Sequence, residues 1–271
     1  MATGDARTTL FARYSLIGAV SAALGSLAAG LPAWLVAHTG STELLAMRAM
    51  FLLYAATGMV IWLLYRRLPQ PGKQTHRPTA PLRQSRGIVT RLALLFSVDA
   101  FAGALVVNSL LSLWFMQRFG LSVGAAGQFF FWAGLLGALS QLAAPPLAAK
   151  IGLLNTMVFT HIPASLCLIA AALASSLPAT LALLLVRSAL SQMDVPTRTA
   201  YVMTVVTPSE RPAAASFTSV PRSLAASLAP TLAGGLIAMG WLGAPLVACG
   251  ALKITYDLSL LFLFRHVKLE R

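Results

Sequence analysis

Eight long apolar runs restrict the fold of this chain more than any other feature. A helix rises about 1.5 Å per residue and the hydrocarbon core of a bilayer is about 30 Å thick, so about 20 apolar residues span it. The runs are rich in Ala and Leu and lack the alternation of a membrane β-barrel. The sequence therefore predicts an all-α integral membrane protein with eight transmembrane helices. The predicted spans are roughly residues 14–36, 44–65, 92–115, 123–144, 153–174, 177–193, 220–239 and 241–264.

The overall composition agrees with a membrane protein and disagrees with a soluble one. Hydrophobic residues make up 58% of the 271 residues, charged residues make up 10%, and the mean hydropathy is +0.78. Soluble proteins have roughly 45–50% apolar and about 25% charged residues. So few charged residues could not cover this much apolar surface in water, so membrane lipids are the predicted surroundings of the helices.

Basic residues predict the orientation of the chain in the membrane. Eight spans place both termini on one side, and 16 of the 20 Lys and Arg residues fall on that side. Arg48 and Arg118 fall on the opposite side, and Arg187 and Lys253 lie inside spans. Because Lys and Arg are enriched in cytoplasmic loops, both termini are predicted to be cytoplasmic. The formal charge of +13 is spread over several loops, which argues against a nucleic-acid partner.

Motifs of enzymatic chemistry are not found in the sequence. It has no Gly-x-Ser-x-Gly, no phosphate-binding Gly-x-x-x-x-Gly-Lys and no dinucleotide-binding fingerprint. The four His residues lack the spacing of a metal site, and Cys167 and Cys249 fall within spans. We therefore expect no enzyme activity, no metal and no cofactor.

One polar segment divides the chain. Arg66–Gly87 (RRLPQPGKQTHRPTAPLRQSRG) is basic and rich in proline, which lacks a backbone donor and disfavours helix in the preceding residue. It predicts a cytoplasmic loop over residues 66–91. This loop would join a helix pair in residues 1–65 to a unit of six helices in residues 92–271.

The first two spans resemble the last two. Arg13 precedes Gly25 by twelve residues in the first span, and Arg222 precedes Gly234 by twelve residues in the seventh. The second and eighth spans end alike, in LLYRRL and FLFRHV. If a six-helix unit repeats, the chain holds the last two helices of one unit and all six of the next. We also expect close helix packing at six small residues: Gly18, Ala22, Gly25, Ser26, Gly234 and Gly235.

Together these features resemble the Major Facilitator Superfamily of membrane transporters. The basic loop stands where the family's central loop joins two six-helix bundles. PLAAKIGLLNT (146–156) is similar to the second, degenerate copy of the family's Gly-x-x-x-Asp-Arg-x-Gly-Arg loop, with Lys150 and Gly152 kept and Ala149 in place of the acid. Residues 187–230 resemble the tenth helix, the next loop and the eleventh helix, and residues 252–268 resemble the twelfth.

The resemblance implies a secondary transporter of a small molecule in the cell (plasma) membrane. Proton-coupled efflux is the expectation, because much of the family exports compounds, and uptake by symport is an alternative. The family has twelve helices, so this comparison implies that the first four are missing from the chain. A second alternative is therefore a truncated transporter that is structural or inactive. No oligomeric state follows from the sequence.

Ionisable residues inside the spans are the first candidate site residues. Placing one near the bilayer centre costs about 2.5–3.5 kcal/mol on insertion scales, so such residues face a bundle interior or an aqueous cavity. Asp99 and Arg187 are predicted to line a cavity and bind substrate or a proton, or else to form a structural pair. Lys253 and Asp257 lie four residues apart, and this spacing favours mutual neutralisation over a pathway role. Asn108 is a further pathway candidate, or a hydrogen-bond partner between helices.

Residues on the predicted cytoplasmic side are candidates for gating. Asp194 and Arg198 lie one helical turn apart, and their plainest interpretation is a solvated ion pair. Ion pairs bias a transporter that alternates between two open states when they form in one state only. We expect Asp194 to pair with Arg222 or Arg198 when the cytoplasmic side is closed. Lys150 and Glu210 are expected near the same face.

Overall fold

The structure, a computed structural model, describes residues 17–68 and 81–265. Within these residues the regular structure is helical, and no strand is found. Arg13, residues 14–16 of the first predicted span, residues 69–80 of the predicted loop and residues 266–268 lie outside the described residues. The helices are α1 (Ile17–Thr39, with a 3-10 turn at Ala28–Gly30), α2 (Glu43–Arg66), α3 (Arg86–Ala104), α4 (Asn108–Phe119), α5 (Val123–Ile151), α6 (Leu153–Leu173), α7 (Leu177–Ser191), α8 (Asp194–Val205), α9 (Arg211–Ala238) and α10 (Ala244–Phe264).

Every predicted span corresponds to helical structure, and six spans are long and apolar enough to cross a membrane. The sixth and seventh predicted spans are not among these six. Their helices are α7, which has only 15 residues, and α9, which carries the polar side chains of Ser219, Arg222 and Ser223 along a cavity. The all-helical fold is therefore confirmed for the described residues, and the count of eight spans stays a prediction. The six spans are Ile17–Thr39, Glu43–Arg66, Arg86–Phe119, Val123–Ile151, Leu153–Leu173 and Ala244–Phe264.

One predicted span is interrupted and another ends at a break between two helices, and both breaks lie beside the same cavity. Residues 105–107 separate α3 from α4, with Val107 in an extended conformation. Gln192 and Met193 separate α7 from α8, so the helical path continues beyond the predicted end at Met193. Pro196 fits here because it lies in the first turn of α8, where a missing N–H leaves no helical hydrogen bond unmade. Broken helices are tolerated at membrane depth where their backbone lines a cavity.

The core of the bundle formed by α3 to α10 consists of two clusters of buried apolar side chains. One cluster contains Trp114, and the other contains Tyr201. Along α3, Phe96 belongs to the second cluster and Ala102 to the first. The turn of α3 that carries Asp99 therefore lies between the two apolar clusters.

The first helix packs against α5 through small residues. A Cβ atom on Gly127 would lie 2.5 Å from the carbonyl oxygen of Ser26, so only glycine fits there. The Ser26 hydroxyl donates a hydrogen bond to the Gly127 carbonyl at 3.2 Å. The second helix, α2, packs on α1. It is exposed along nearly its whole length. The division of the chain into residues 1–65, 66–91 and 92–271 stays a prediction.

The expectation of close packing at six small residues is right at Ser26 and wrong at the four glycines. Gly18, Gly25, Gly234 and Gly235 all have open space where a Cβ would lie. The close approaches occur at glycines on other helix faces. At Gly250 of α10, a Cβ would lie 2.5 Å from Ile169 Cγ1. Hydropathy does not reveal which face of a helix meets a neighbour, and this is the reason for the error.

Candidate functional site: a charged cluster on the wall of a cavity

A cluster of buried charged side chains lies where α3, α8 and α10 meet. Asp99, on α3, is only 3% exposed. Its Oδ1 accepts a hydrogen bond from Lys253 Nζ at 2.6 Å, and its Oδ2 lies 2.9 Å from Arg198 Nη2. The carboxylate thus faces the interior of the bundle, where ion pairs from two other helices hold it.

Arg198 joins Asp99 to a second carboxylate. Its Nη2 also contacts Asp194 Oδ2, one helical turn earlier on α8, and its guanidinium carbon lies 5.3 Å from the ring centre of Phe96. Asp194 is 4% exposed and Arg198 8%. The interpretation of these two residues as a solvated pair is therefore wrong. The reason is that α8 packs against α5 and α6, which turns its first turn into the bundle.

His161, on α6, extends the cluster on the other side of Lys253. Its Nδ1 lies 3.0 Å from Asp257 Oδ2, and its Nε2 lies 3.3 Å from Lys253 Nζ. A Lys ammonium has no acceptor, so Nε2 must accept and Nδ1 must carry the hydrogen that is donated to Asp257. The contacts thus form a continuous path from Asp257 through His161 and Lys253 to Asp99.

The cluster lines a cavity of 590 Å³ between the helices. A second cavity of 300 Å³ lies between α1, α5 and α7 and includes Asn108. Arg187, Ser191 and Gln192 line both cavities, so they form the boundary between them. The charged and titratable residues on the wall of the larger cavity are Asp99, His161, Arg187, Asp194, Arg198, Arg222 and Lys253.

Most of the residues predicted from the sequence thus come together at one cavity. Three do not: Asn108 lines only the second cavity, Asp257 is buried without lining either cavity, and Lys150 is exposed at the end of α5. The expected mutual neutralisation of Lys253 and Asp257 is also wrong. Each contacts a residue of another helix, Asp99 for Lys253 and His161 for Asp257. Both residues point inward as their spacing indicates, but their opposite charges are satisfied across helices.

Sequence reasoning missed His161. The spacing of the four His residues indicates only that they do not form a metal site. The available signal was its position inside an apolar span, where a titratable side chain needs a polar partner. The sequence does not reveal that this partner is Asp257, because the two residues are 96 positions apart.

Glu210 is a second residue whose contacts the sequence does not reveal. It precedes α9 and accepts hydrogen bonds from the backbone N–H groups of Arg83, Gln84 and Ser85, at 2.8–2.9 Å. These three bonds stabilise the ionised carboxylate and lower the pKa of Glu210 from its ordinary 4.5 to about 2. Glu210 therefore ties the segment before α3 to the start of α9.

A bundle of helices long and apolar enough to span a membrane, with charged side chains around an internal cavity, is typical of membrane transport proteins. The sequence matches the Major Facilitator Superfamily over residues 1–193 and again over residues 92–270. The chain belongs to this family, whose members are secondary transporters and not enzymes. It is therefore an integral membrane protein whose family implies a small-molecule substrate. A comparison with curated proteins gives no match.

Proposed function

We propose that this chain is a proton-coupled secondary transporter that exports a small molecule through the 590 Å³ cavity. The observation that carries the proposal is the position of Asp99. It is an acid inside a membrane-spanning segment, on the cavity wall, with Lys253 and Arg198 as its partners. An acid inside a membrane-spanning segment costs free energy, and acids in such positions mark substrate or ion pathways. Export is the direction that the resemblance to exporting members of the family favours.

A proton on Asp99 would change which helices are joined. When Asp99 is ionised, its two ion pairs connect α3 to α8 and α10. When Asp99 is protonated, Lys253 keeps only its contact with His161 Nε2 and Arg198 keeps Asp194. A ligand shifts a conformational equilibrium only if it binds the two states differently. Because protonation of Asp99 removes the ion pairs that join the three helices, a proton would bind more strongly to a conformation in which these helices are apart.

The other wall residues have supporting roles in this proposal. His161, on the cavity wall, and Asp257, which is fully buried and does not line the cavity, form a path along which a proton can move away from Asp99 and Lys253. Asp194, Arg198 and Arg222 act in gating, because Asp194, which pairs with Arg198, can exchange this partner for Arg222 when one set of helices rocks against another. Lys150 is proposed to lie at the cytoplasmic rim.

Proteoliposomes that contain the 271-residue chain and an entrapped pH-sensitive dye test the coupling. Succinate, glycerol 3-phosphate, succinamide and choline are added in turn under an imposed pH gradient. We expect at least one solute to produce proton flux that is absent from protein-free liposomes. Asp99→Asn should abolish this flux, and Glu43→Gln, which removes an exposed acid at the start of α2, should keep it. Solute flux without proton movement, flux that survives in Asp99→Asn, or no flux with any solute would each refute the proposal.

A further inference from the structure

None of the acids in the described residues contacts Arg187 or Arg222, two arginines on the cavity wall. Five of the seven Asp and Glu residues of the chain lie in the described ranges. Asp99 and Asp194 bind Lys253 and Arg198, and Asp257 binds His161. Glu210 binds backbone N–H groups, and Glu43 is exposed at the start of α2 and does not line the cavity. No described acid is left for Arg187 or Arg222.

Arg187 and Arg222 therefore give the cavity an excess of positive charge. The wall carries four cations, Arg187, Arg198, Arg222 and Lys253, and two carboxylates. Within the described part of the chain, neither Arg187 nor Arg222 makes an ion pair or a hydrogen bond through its side chain. Ser223, next to Arg222 on α9, lines the same cavity and adds a hydroxyl group beside it, whereas the Ser219 hydroxyl on this wall donates to the Ser216 carbonyl.

We propose that the molecule carried by this protein is an organic anion, whose carboxylate or phosphate group binds to Arg187 and Arg222. This inference rests on the proposed transport function and adds the substrate class. The planar guanidinium group presents paired N–H donors that match both oxyanions. A cavity of 590 Å³ lies in the range of small-molecule sites, roughly 300–1,000 Å³. The excess of two positive charges favours a dianion over a monoanion of similar size.

Binding is measured on the purified 271-residue chain in detergent at constant pH, without any gradient. The probes form pairs that differ in charge: succinate with succinamide, and glycerol 3-phosphate with glycerol. We expect succinate, glycerol 3-phosphate or both to bind saturably by calorimetry, and the neutral partners not to bind. If succinate alone binds, the anionic group that the arginines recognise is a carboxylate. If glycerol 3-phosphate alone binds, this group is a phosphate.

Variants of the two arginines locate the site. Arg187→Gln and Arg222→Gln should each weaken anion binding about tenfold or more, because each loses a hydrogen-bonded charge. Both should keep the parent melting temperature without ligand, since neither removes the partner of another group. Arg211→Gln is the matched control: Arg211 and Arg222 are both exposed on α9, but Arg211 does not line the cavity.

Different results would contradict the proposed substrate class and the proposed transport function. The substrate class is wrong if neither anion binds, if a neutral partner binds equally, or if both arginine variants keep the parent affinity. Anion binding without proton flux in liposomes would contradict the proposed transport and leave the ligand class intact. Proton flux driven only by choline or succinamide would leave transport intact and overturn the anionic substrate.

Discussion

Asp99→Asn is predicted to lower the free energy of unfolding by about 3–5 kcal/mol, the usual effect of removing one partner from a buried ion pair. The substitution keeps the size of the side chain and removes its charge. Lys253 then keeps only His161 Nε2, at 3.3 Å, and its ammonium group loses its carboxylate partner. Arg198 is less affected because Asp194 remains bound to it. Most of the effect therefore falls on Lys253.

The same contacts predict how the stabilities of two further variants compare with that of Asp99→Asn. Asp194→Asn should be milder than Asp99→Asn, because Asp194 has an ion pair only with Arg198, which retains Asp99. The double variant Asp99→Asn/Lys253→Met should be more stable than Asp99→Asn alone. It removes the cation that the single substitution leaves unpaired, and apolar replacement of a buried ion pair is often neutral or stabilising.

Reversible unfolding by SDS in mixed micelles measures these differences, and the four variants of a double-mutant cycle give the coupling energy between Asp99 and Lys253. We expect a coupling of roughly 1–3 kcal/mol, as for residues in one ion-pair network. Additive effects in the cycle, or a loss below about 1 kcal/mol for Asp99→Asn, would refute the assignment of Asp99 as the main partner of Lys253.

Three further predictions concern other parts of the bundle. The lowered pKa of Glu210 means that its contribution to stability is present above pH 4.5 and is lost as the pH falls towards about 2; Glu210→Gln should remove this part of the pH dependence of the melting temperature. Gly250→Val should lower the melting temperature by collision with Ile169, whereas Gly235→Ala, in open space, should leave it unchanged or raise it; equal effects would contradict the packing. Gly127→Leu should separate α1 from α5, seen as loss of a cross-link between cysteines introduced into these helices, and an undiminished cross-link would contradict that contact.

Local composition was enough to predict the elements of this fold. The hydrocarbon core requires long apolar helices, so hydropathy alone indicated where helices such as α2, α6 and α10 begin and end, within a few residues. The prediction was poorer at α8 and α9. Their polar and charged side chains face a cavity inside the bundle, and hydropathy does not separate such residues from those of a solvated loop.

For the ionisable residues inside the spans, the sequence predicted the kind of surroundings but not the partners. The cost of a charge in the membrane predicted that Asp99, Arg187, Lys253 and Asp257 have polar surroundings. The sequence did not reveal which partner each would have, and it proposed a Lys253–Asp257 pair that the structure replaces with contacts to Asp99 and His161.

The sequence by itself determined the membrane class, the helices and the family of this protein, because the bilayer acts on each segment separately and leaves its mark in local hydropathy. Only the tertiary structure decided that Asp99, His161 and Asp194 belong to one cluster, and that Arg187 and Arg222 lie on the same cavity wall without a described acid partner. These relations depend on how each helix is rotated and which helices are its neighbours. Both follow from packing between residues far apart in the chain, which no local pattern records.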